Sequence, residues 1–222
     1  RVQRGRPMLT LKLAASLDGR IATASGESQW ITGPAARAMV HLMRARHDAV
    51  LIGSGTARAD DPLLTVRGLG VVRQPVRIVA ARGLDLPLGG QLAQTARQVP
   101  LWLLHGASAP KDRRAHWQDA GAKLIEVPEA SQGLDMTVAL GLLGQAGLTR
   151  VFCEGGGQLA AALVQQDLAD DLALFSAGLL LGGGARAAIG ALADGGLASA
   201  PRFQLQHSHS VGPDLFSLWS RA

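Results

Sequence analysis

The stretch RVFCEGGGQLAAALVQQ, residues 150–166, reads as a short apolar strand, a run of three glycines and an alanine-rich helix. Val151, Phe152 and Cys153 are apolar, the glycines interrupt the run, and Gln158 to Ala162 have high helix propensity. A strand passing through a tight turn directly into a helix is half of a β–α–β unit, the unit that builds parallel sheets. Working outward, the same alternation recurs. Residues 8–15, 49–53, 76–81, 101–105 and 123–127 have strand length and apolar content. Helical patterns lie between them, at 111–120, at 135–146 and from Gly33-Pro34 to about His47, the last with Thr32 as its expected N-cap. The predicted fold class is therefore α/β, with a mostly parallel central sheet flanked by helices.

The C-terminal part changes character. Residues 171–181, RFQLQHSHS and DLFSLWS read as strands without intervening helices, and the VGPD bend at 211–214 predicts an antiparallel hairpin. A strict period of two puts Phe203, Leu205, His207 and His209 on one face. Residues 68–74, 83–98 and 182–201 read as loops, the last Gly/Ala-rich and expected to be mobile in part.

With 222 residues and 47% hydrophobic content, a single large domain with a real core is expected, preceded by a linker remnant at residues 1–7. RVQRGRP is basic, contains Gly and lacks an initiator Met, as the remainder of a longer protein would; Lys12 and Asp18 break the apolar segment that a signal peptide needs. No apolar run reaches the roughly 18 residues a membrane span needs. The net charge of +5 is spread rather than clustered, there is no Tyr, and only Lys12, Lys111 and Lys123 are lysines. That distribution speaks against nucleic acid and for an Arg-rich surface that takes small phosphorylated ligands. The single cysteine, Cys153, excludes an intrachain disulfide and suits the cytoplasm.

Candidate chemistry concentrates in a few places. SLDGRIATASGESQWITG, residues 16–33, is a Gly-rich loop with hydroxyls and one Trp. It reads either as a ligand loop or as a polar loop packed on Trp30. Arg37, His41 and Arg44 recur at i, i+4 and i+7, a pattern that ordinarily marks a solvated face. CEGGGQLAAAL presents backbone N–H groups as an anion cradle or forms a plain turn. His207 and His209 lie two apart without an evident third ligand, so no metal site is expected. In TARADDPLLTVR, residues 56–67, Asp-Asp-Pro is a turn signature, or a carboxylate held at a site.

Together LKLAASLDGRIA, SGESQWITG, LIGSGTARADDPLLTVR and VFCEGGGQLAAALV resemble, in order and spacing, the reductase domain of riboflavin biosynthesis, whose fold is dihydrofolate-reductase-like. The resemblance implies NADPH-dependent reduction of the ribosyl group of 5-amino-6-(5-phosphoribosylamino)uracil to ribityl. It implies substrate contacts at Ser28, Arg44, Leu64, Arg67 and Glu154. It implies cofactor contacts at Ala14, Trp30, Thr56, Asp60, Gly156, Gly157, Gln158, Leu159, Ala160, Ala161 and Ala162. Lys12 and Asp60, with Glu154, are the ionisable groups expected to serve the chemistry. Asp61 with Pro62 is expected to make the turn that fixes Asp60, so that Asp61→Asn costs stability and Asp60→Asn costs turnover. Where many relatives have Asp-Ser after the IV strand, this chain has Ala81 and Arg82; Arg82 then faces either the adenosine 2′-phosphate or solvent. Family members often follow a zinc deaminase on one polypeptide, so a deaminase upstream and a homodimer through the C-terminal hairpin, at Phe216 and Trp219, are further expectations. The competing readings are a reductase of the same fold acting on a pterin-like substrate, and a non-catalytic ligand-binding domain.

Overall fold

The computed structural model describes residues 4–70, 73–131, 133–193 and 195–222. The elements begin with β1 (Met8–Ser16), β2 (Arg20–Ala22), α1 (Pro34–Ala45), β3 (Ala49–Gly53) and α2 (Ser54–Asp60). There follow β4 (Val76–Ala80), α3 (Gln91–Gln94), β5 (Leu101–His105), α4 (Lys111–Asp119) and β6 (Lys123–Glu126). Next are β7 (Glu129–Ala130), β8 (Gly133–Leu134), α5 (Met136–Gln145), β9 (Arg150–Cys153) and α6 (Gly157–Gln165). The chain ends with β10 (Asp171–Ala177), β11 (Arg186–Ala187), β12 (Phe203–Val211) and β13 (Asp214–Arg221).

Contacts divide the chain into two units. The first comprises Arg1–Met8 and His41–Cys153. Its strands run parallel in the order β9, β3, β4, β5, β6. Val50 and Ile52 of β3 enter a core with Val79, Leu84, Leu101, Leu103 and Trp117. Ala49 and Leu51, which alternate to the opposite face, are equally inaccessible. Both faces are covered, as a parallel sheet built from β–α–β units demands, and this is why its strands read as unbroken apolar runs. The helix α5 starts where the sequence placed it, because the Asp135 carboxylate accepts from Val138 N at 3.0 Å.

At the start of this unit, residues 1–3 of the expected linker lie outside the described residues. Arg6 and Pro7 are buried. A Cβ built on Gly144 of α5 would come 2.6 Å from the Gly5 carbonyl oxygen, so this stretch lies directly against the helix.

The second unit comprises Leu9–Val40 and Glu154–Ala222. Here β1 pairs parallel with β10, β10 antiparallel with β13, and β13 antiparallel with β12. The antiparallel hairpin at the end of the chain is thus present. Its faces differ from expectation. Leu205 pairs with Trp219 but His207 pairs with Leu218, so Gln206 is an extra residue on β12. That bulge switches the side-chain period. Phe203 and Leu205 share the face of Trp219, while His207 and His209 pack on Phe216, with centroid separations of 5.7 and 5.3 Å. Phe216 itself is 2% exposed and tilts against Phe175, so it is a core residue and not part of an exposed surface.

Two further expectations are corrected in this unit. The strand expected to reach Leu181 stops at Ala177, because Leu179 leaves the ladder to accept from Leu17 N, while Asp18 takes Leu181 N and Gly182 N. Within the Gly/Ala-rich loop 182–201, Ala188 N donates to the Gly19 carbonyl and Gly190 N to the Gly157 carbonyl. Helix α1 begins at Pro34, with Gly33 rather than Thr32 preceding it. The Gly33 carbonyl accepts from Arg37 N at 3.2 Å, and its N–H donates to Asp214 Oδ2 at 2.7 Å.

Candidate functional site

In the first unit the TARADDPLLTVR stretch is helix before it is turn. Thr56 and Asp60 belong to α2, Thr56 half-buried in its first turn and Asp60 exposed as its last residue. Asp61 ends the helix in the left-handed region, φ 38°, and its Oδ1 accepts from Gln91 N at 2.8 Å. Asp tolerates this conformation because its short side chain bonds nearby backbone. The turn therefore belongs to Asp61.

Residues 61–67 form neither helix nor strand, yet side chains hold the backbone of residues 65–67. Arg44 Nη1 donates to the Thr65 carbonyl at 2.8 Å. Gln74 brackets Val66, accepting from its N–H at 2.7 Å and donating to its carbonyl at 3.2 Å. The Arg67 N–H donates to His41 Nδ1 at 3.2 Å. Leu64, at φ 56°, turns its side chain inward and is 3% exposed within the core, so any contact of Leu64 with a ligand goes through its main chain. Arg67 itself is exposed. A guanidinium whose backbone is anchored in this way is well placed to receive a phosphate.

Arg77, unremarked within the apolar strand pattern, is the fully buried cation beneath this region. It donates to Thr95 Oγ1, the Thr95 carbonyl and the Val99 carbonyl at 2.7, 3.1 and 2.6 Å. Burial lowers its pKa to about 10, still far above neutrality, so it stays charged. Arg82 lies 3.9 Å from Glu129, whose carboxylate is held below its ordinary range chiefly by the Ser108 hydrogen bonds.

In the second unit β1 alternates buried Leu9, Leu11 and Leu13 with the half-buried Lys12 and Ala14. Lys12 sits in register with Ala173 and Ala14 with Phe175. A Cβ on Gly155 would lie 3.8 Å from the Lys12 carbonyl oxygen, so the Glu154–Gly155 backbone runs alongside Lys12. Residues 23–27 close on themselves, with Thr23 N on the Glu27 carbonyl and Glu27 N on Thr23 Oγ1, and this turn presents Ser28 and Trp30. Trp30 is 67% exposed, with the Arg37 guanidinium 4.6 Å from its ring centroid. The loop is a presented surface and not a plug packed on Trp30.

Gly155 and Gly156 have φ of 86° and 100°, values that a side chain would strain. They deliver the chain into α6, whose first N–H groups, on Gly157, Gln158 and Leu159, have no intrahelical acceptor. Ala160 N already donates to the Gly156 carbonyl, and Ala160 and Ala161 face the core. Of the implied span 156–162, the donors suited to a phosphate are therefore those of its first half. Gly157 cannot carry a side chain without crowding the Ala187 carbonyl oxygen, 3.1 Å from a built Cβ.

The stripe Arg37, His41, Arg44 is not merely solvated. Arg37 holds the Thr32 carbonyl, His41 the Arg67 amide and Arg44 the Thr65 carbonyl. Its helical spacing was the visible signal; the backbone targets of His41 and Arg44, more than twenty residues away, were not. Asp18 was likewise missed. Ser16 Oγ and the Leu181 and Gly182 amides hold its pKa near 2. Among the described residues no three His, Cys, Asp or Glu side chains gather to hold a metal. No helix of the described residues is long and apolar enough to cross a membrane.

The chain matches the family described as "RibD C-terminal domain" over residues 7–217. It belongs to that family. It is 37% identical over 225 residues to the riboflavin biosynthesis protein RibD of Escherichia coli K12, covering 97% of this chain and 60% of that protein. A solved structure of Acinetobacter baumannii RibD superposes with a TM-score of 0.85 at 33% identity, covering 98% of this chain and 59% of the other. The Thermotoga maritima structure described as a diaminohydroxyphosphoribosylaminopyrimidine deaminase/5-amino-6-(5-phosphoribosylamino)uracil reductase gives 0.78 at 25% identity, over 100% and 58% of the two chains. The chain thus spans about 60% of the length of these relatives. These likenesses carry the fold class: mixed α/β, dihydrofolate-reductase-like, mostly parallel with antiparallel C-terminal strands.

Proposed function

We propose that this chain reduces the ribosyl group of 5-amino-6-(5-phosphoribosylamino)uracil to ribityl with hydride from NADPH. The observation that carries the reading is the side-chain-held 65–67 segment, which presents exposed Arg67 beside a second arginine, Arg44. An arginine anchored through its backbone suits the 5-phosphate, a group a pterin does not bring. Membership of the RibD C-terminal domain family and the name of the Thermotoga relative support the same substrate.

The residues fit a dinucleotide. Gly155 and Gly156, at positive φ, followed by the open N–H groups of α6 make a donor set for its phosphates, and exposed Trp30 offers an apolar face to a planar ring. Bound NADPH supplies the hydride. Overall the reaction adds a hydride to C1′ and a proton, and breaks the bond from C1′ to the ring oxygen. In this reading Ser28 and Glu154 orient the substrate, Ala14, Thr56 and Asp60 line the cofactor, and Leu64 contributes main chain to the substrate side. The proton needed at the ring oxygen is assigned to the ionisable set Lys12, Asp60 and Glu154, which also holds the charge that develops.

The same reading gives the chain a deaminase segment upstream, a homodimeric state and a cytoplasmic setting; the greater length of its relatives supports the first. The test is loss of NADPH absorbance when the phosphorylated substrate is added, against the same substrate without its phosphate. Equal turnover of both would overturn the assignment of Arg44 and Arg67, and a pterin turned over in their place would overturn the substrate.

A further inference from the structure

Thr65, Val66 and Arg67 have four backbone groups engaged by side chains: the Thr65 carbonyl, both polar groups of Val66 and the Arg67 N–H. Strands obtain such bonds from neighbouring strands, which fixes register but ties the segment to the sheet. Here Arg44 and Gln74 hold the first two residues, and His41 alone of these three reaches Arg67 itself. The acceptor is Nδ1, a role that nitrogen can play only while it carries no proton.

We infer that His41 is a positioning residue for substrate recognition, acting through its hydrogen bond to the Arg67 amide and not by touching substrate. The inference rests on the reading that Arg67 binds the phosphate. His41 stands on a regular helix, α1, whereas Arg67 stands on irregular backbone, so the helix supplies the fixed reference and the imidazole transmits it. Asn places its Oδ1 acceptor on the same carbon that carries Nδ1 in His; Leu fills similar volume with no acceptor.

The experiment measures KM and kcat for the phosphorylated substrate and for its dephosphorylated form in the wild type, His41→Leu, His41→Asn, Arg67→Ala and His41→Leu/Arg67→Ala. His41→Leu is expected to raise KM for the phosphorylated substrate about 3- to 10-fold, the effect of one lost hydrogen bond, with kcat and the KM for NADPH little changed. His41→Asn should recover most of this. The double variant should match Arg67→Ala alone, because His41 acts only through Arg67. Nitrogen chemical shifts of the His41 ring should report protonation at Nε2 and not at Nδ1. If Arg67→Ala raises KM but His41→Leu does not, or if the two losses add independently, the role of His41 is refuted while the role of Arg67 stands. If Arg67→Ala leaves KM unchanged, the phosphate reading fails and takes the inference with it. Should His41→Leu fold poorly, the His41→Asn kinetics and the ring shifts decide: a KM raised as far as that of Arg67→Ala, or a proton on Nδ1, overturns the proposal.

Discussion

Replacing Asp61 by Ala tests the division of labour between the two adjacent aspartates. Asp61 occupies φ 38°, ψ 58°, and its carboxylate accepts from Gln91 N at 2.8 Å. Alanine in that region costs about 1 kcal/mol more than Asp, which bonds locally there. Loss of the hydrogen bond adds about 1 kcal/mol. The sum, about 2 kcal/mol, corresponds to a fall in Tm of roughly 4–8 °C for a chain of this size. Asn keeps both the acceptor and the tolerance of left-handed backbone, so Asp61→Asn should stay within about 0.5 kcal/mol of wild type. The structure thus moves the expected stability loss from the Asn variant to the Ala variant. Asp60 behaves oppositely. It is exposed as the last residue of α2, so Asp60→Asn should shift Tm less than Asp61→Ala does. Its turnover should fall about 10²–10⁴-fold if the carboxylate serves proton transfer. Thermal melts followed by circular dichroism, paired with NADPH oxidation rates well below Tm, read both axes. An unchanged Tm in Asp61→Ala refutes the cap argument, and full activity in Asp60→Asn refutes its catalytic assignment.

Gly156→Ala forces a side chain to φ 100° at the entrance to α6; a strain of about 1–3 kcal/mol is expected, with weaker NADPH binding by fluorescence titration. Binding as tight as wild type would remove this turn from the cofactor site. Asp18 is held near pKa 2 against 3.8 for the free group, chiefly by Ser16 and the Leu181 amide. A depressed folded pKa stabilises above the unfolded value, so its contribution is complete above pH 3.8 and is lost as pH falls through about 2. Protection of the Leu181 and Gly182 amides against exchange, relative to the unfolded chain at the same pH, should therefore fall over that window and already be low in Asp18→Ala at neutral pH. Gly144→Ala drives a methyl to 2.6 Å from the Gly5 carbonyl oxygen, and the resulting overpacking should cost about 1–3 kcal/mol in urea melts. An unchanged midpoint there would mean that residues 5–6 yield freely.

Much of the fold was legible in the chain itself. The strands β3, β4 and β5 are short apolar runs buried on both faces, and α5 follows the helical pattern read at 135–146. In such elements the apolar pattern is set by residues near in sequence, so it is visible before folding. The helix α2 escaped because Ala57 is its only buried residue and no side chain caps its start. The pairing of β2 with β11 escaped because it joins two- and three-residue pieces more than 160 positions apart, Arg20 with Ala187. The bulge at Gln206 escaped because one extra residue reverses a face without altering composition.

The same boundary runs through the candidate residues. Residue types and their order along the chain determined the family and the set Lys12, Ser28, Trp30, Arg44, Asp60, Arg67 and Glu154, since each lies in a local motif. Tertiary structure decided how they are held: Arg67 by His41, Thr65 by Arg44, Val66 by Gln74, and the Leu181 loop by Asp18. Each of these bonds joins a side chain to a backbone group, and every amide and carbonyl in the chain is chemically alike. Only folding determines which of them comes within reach.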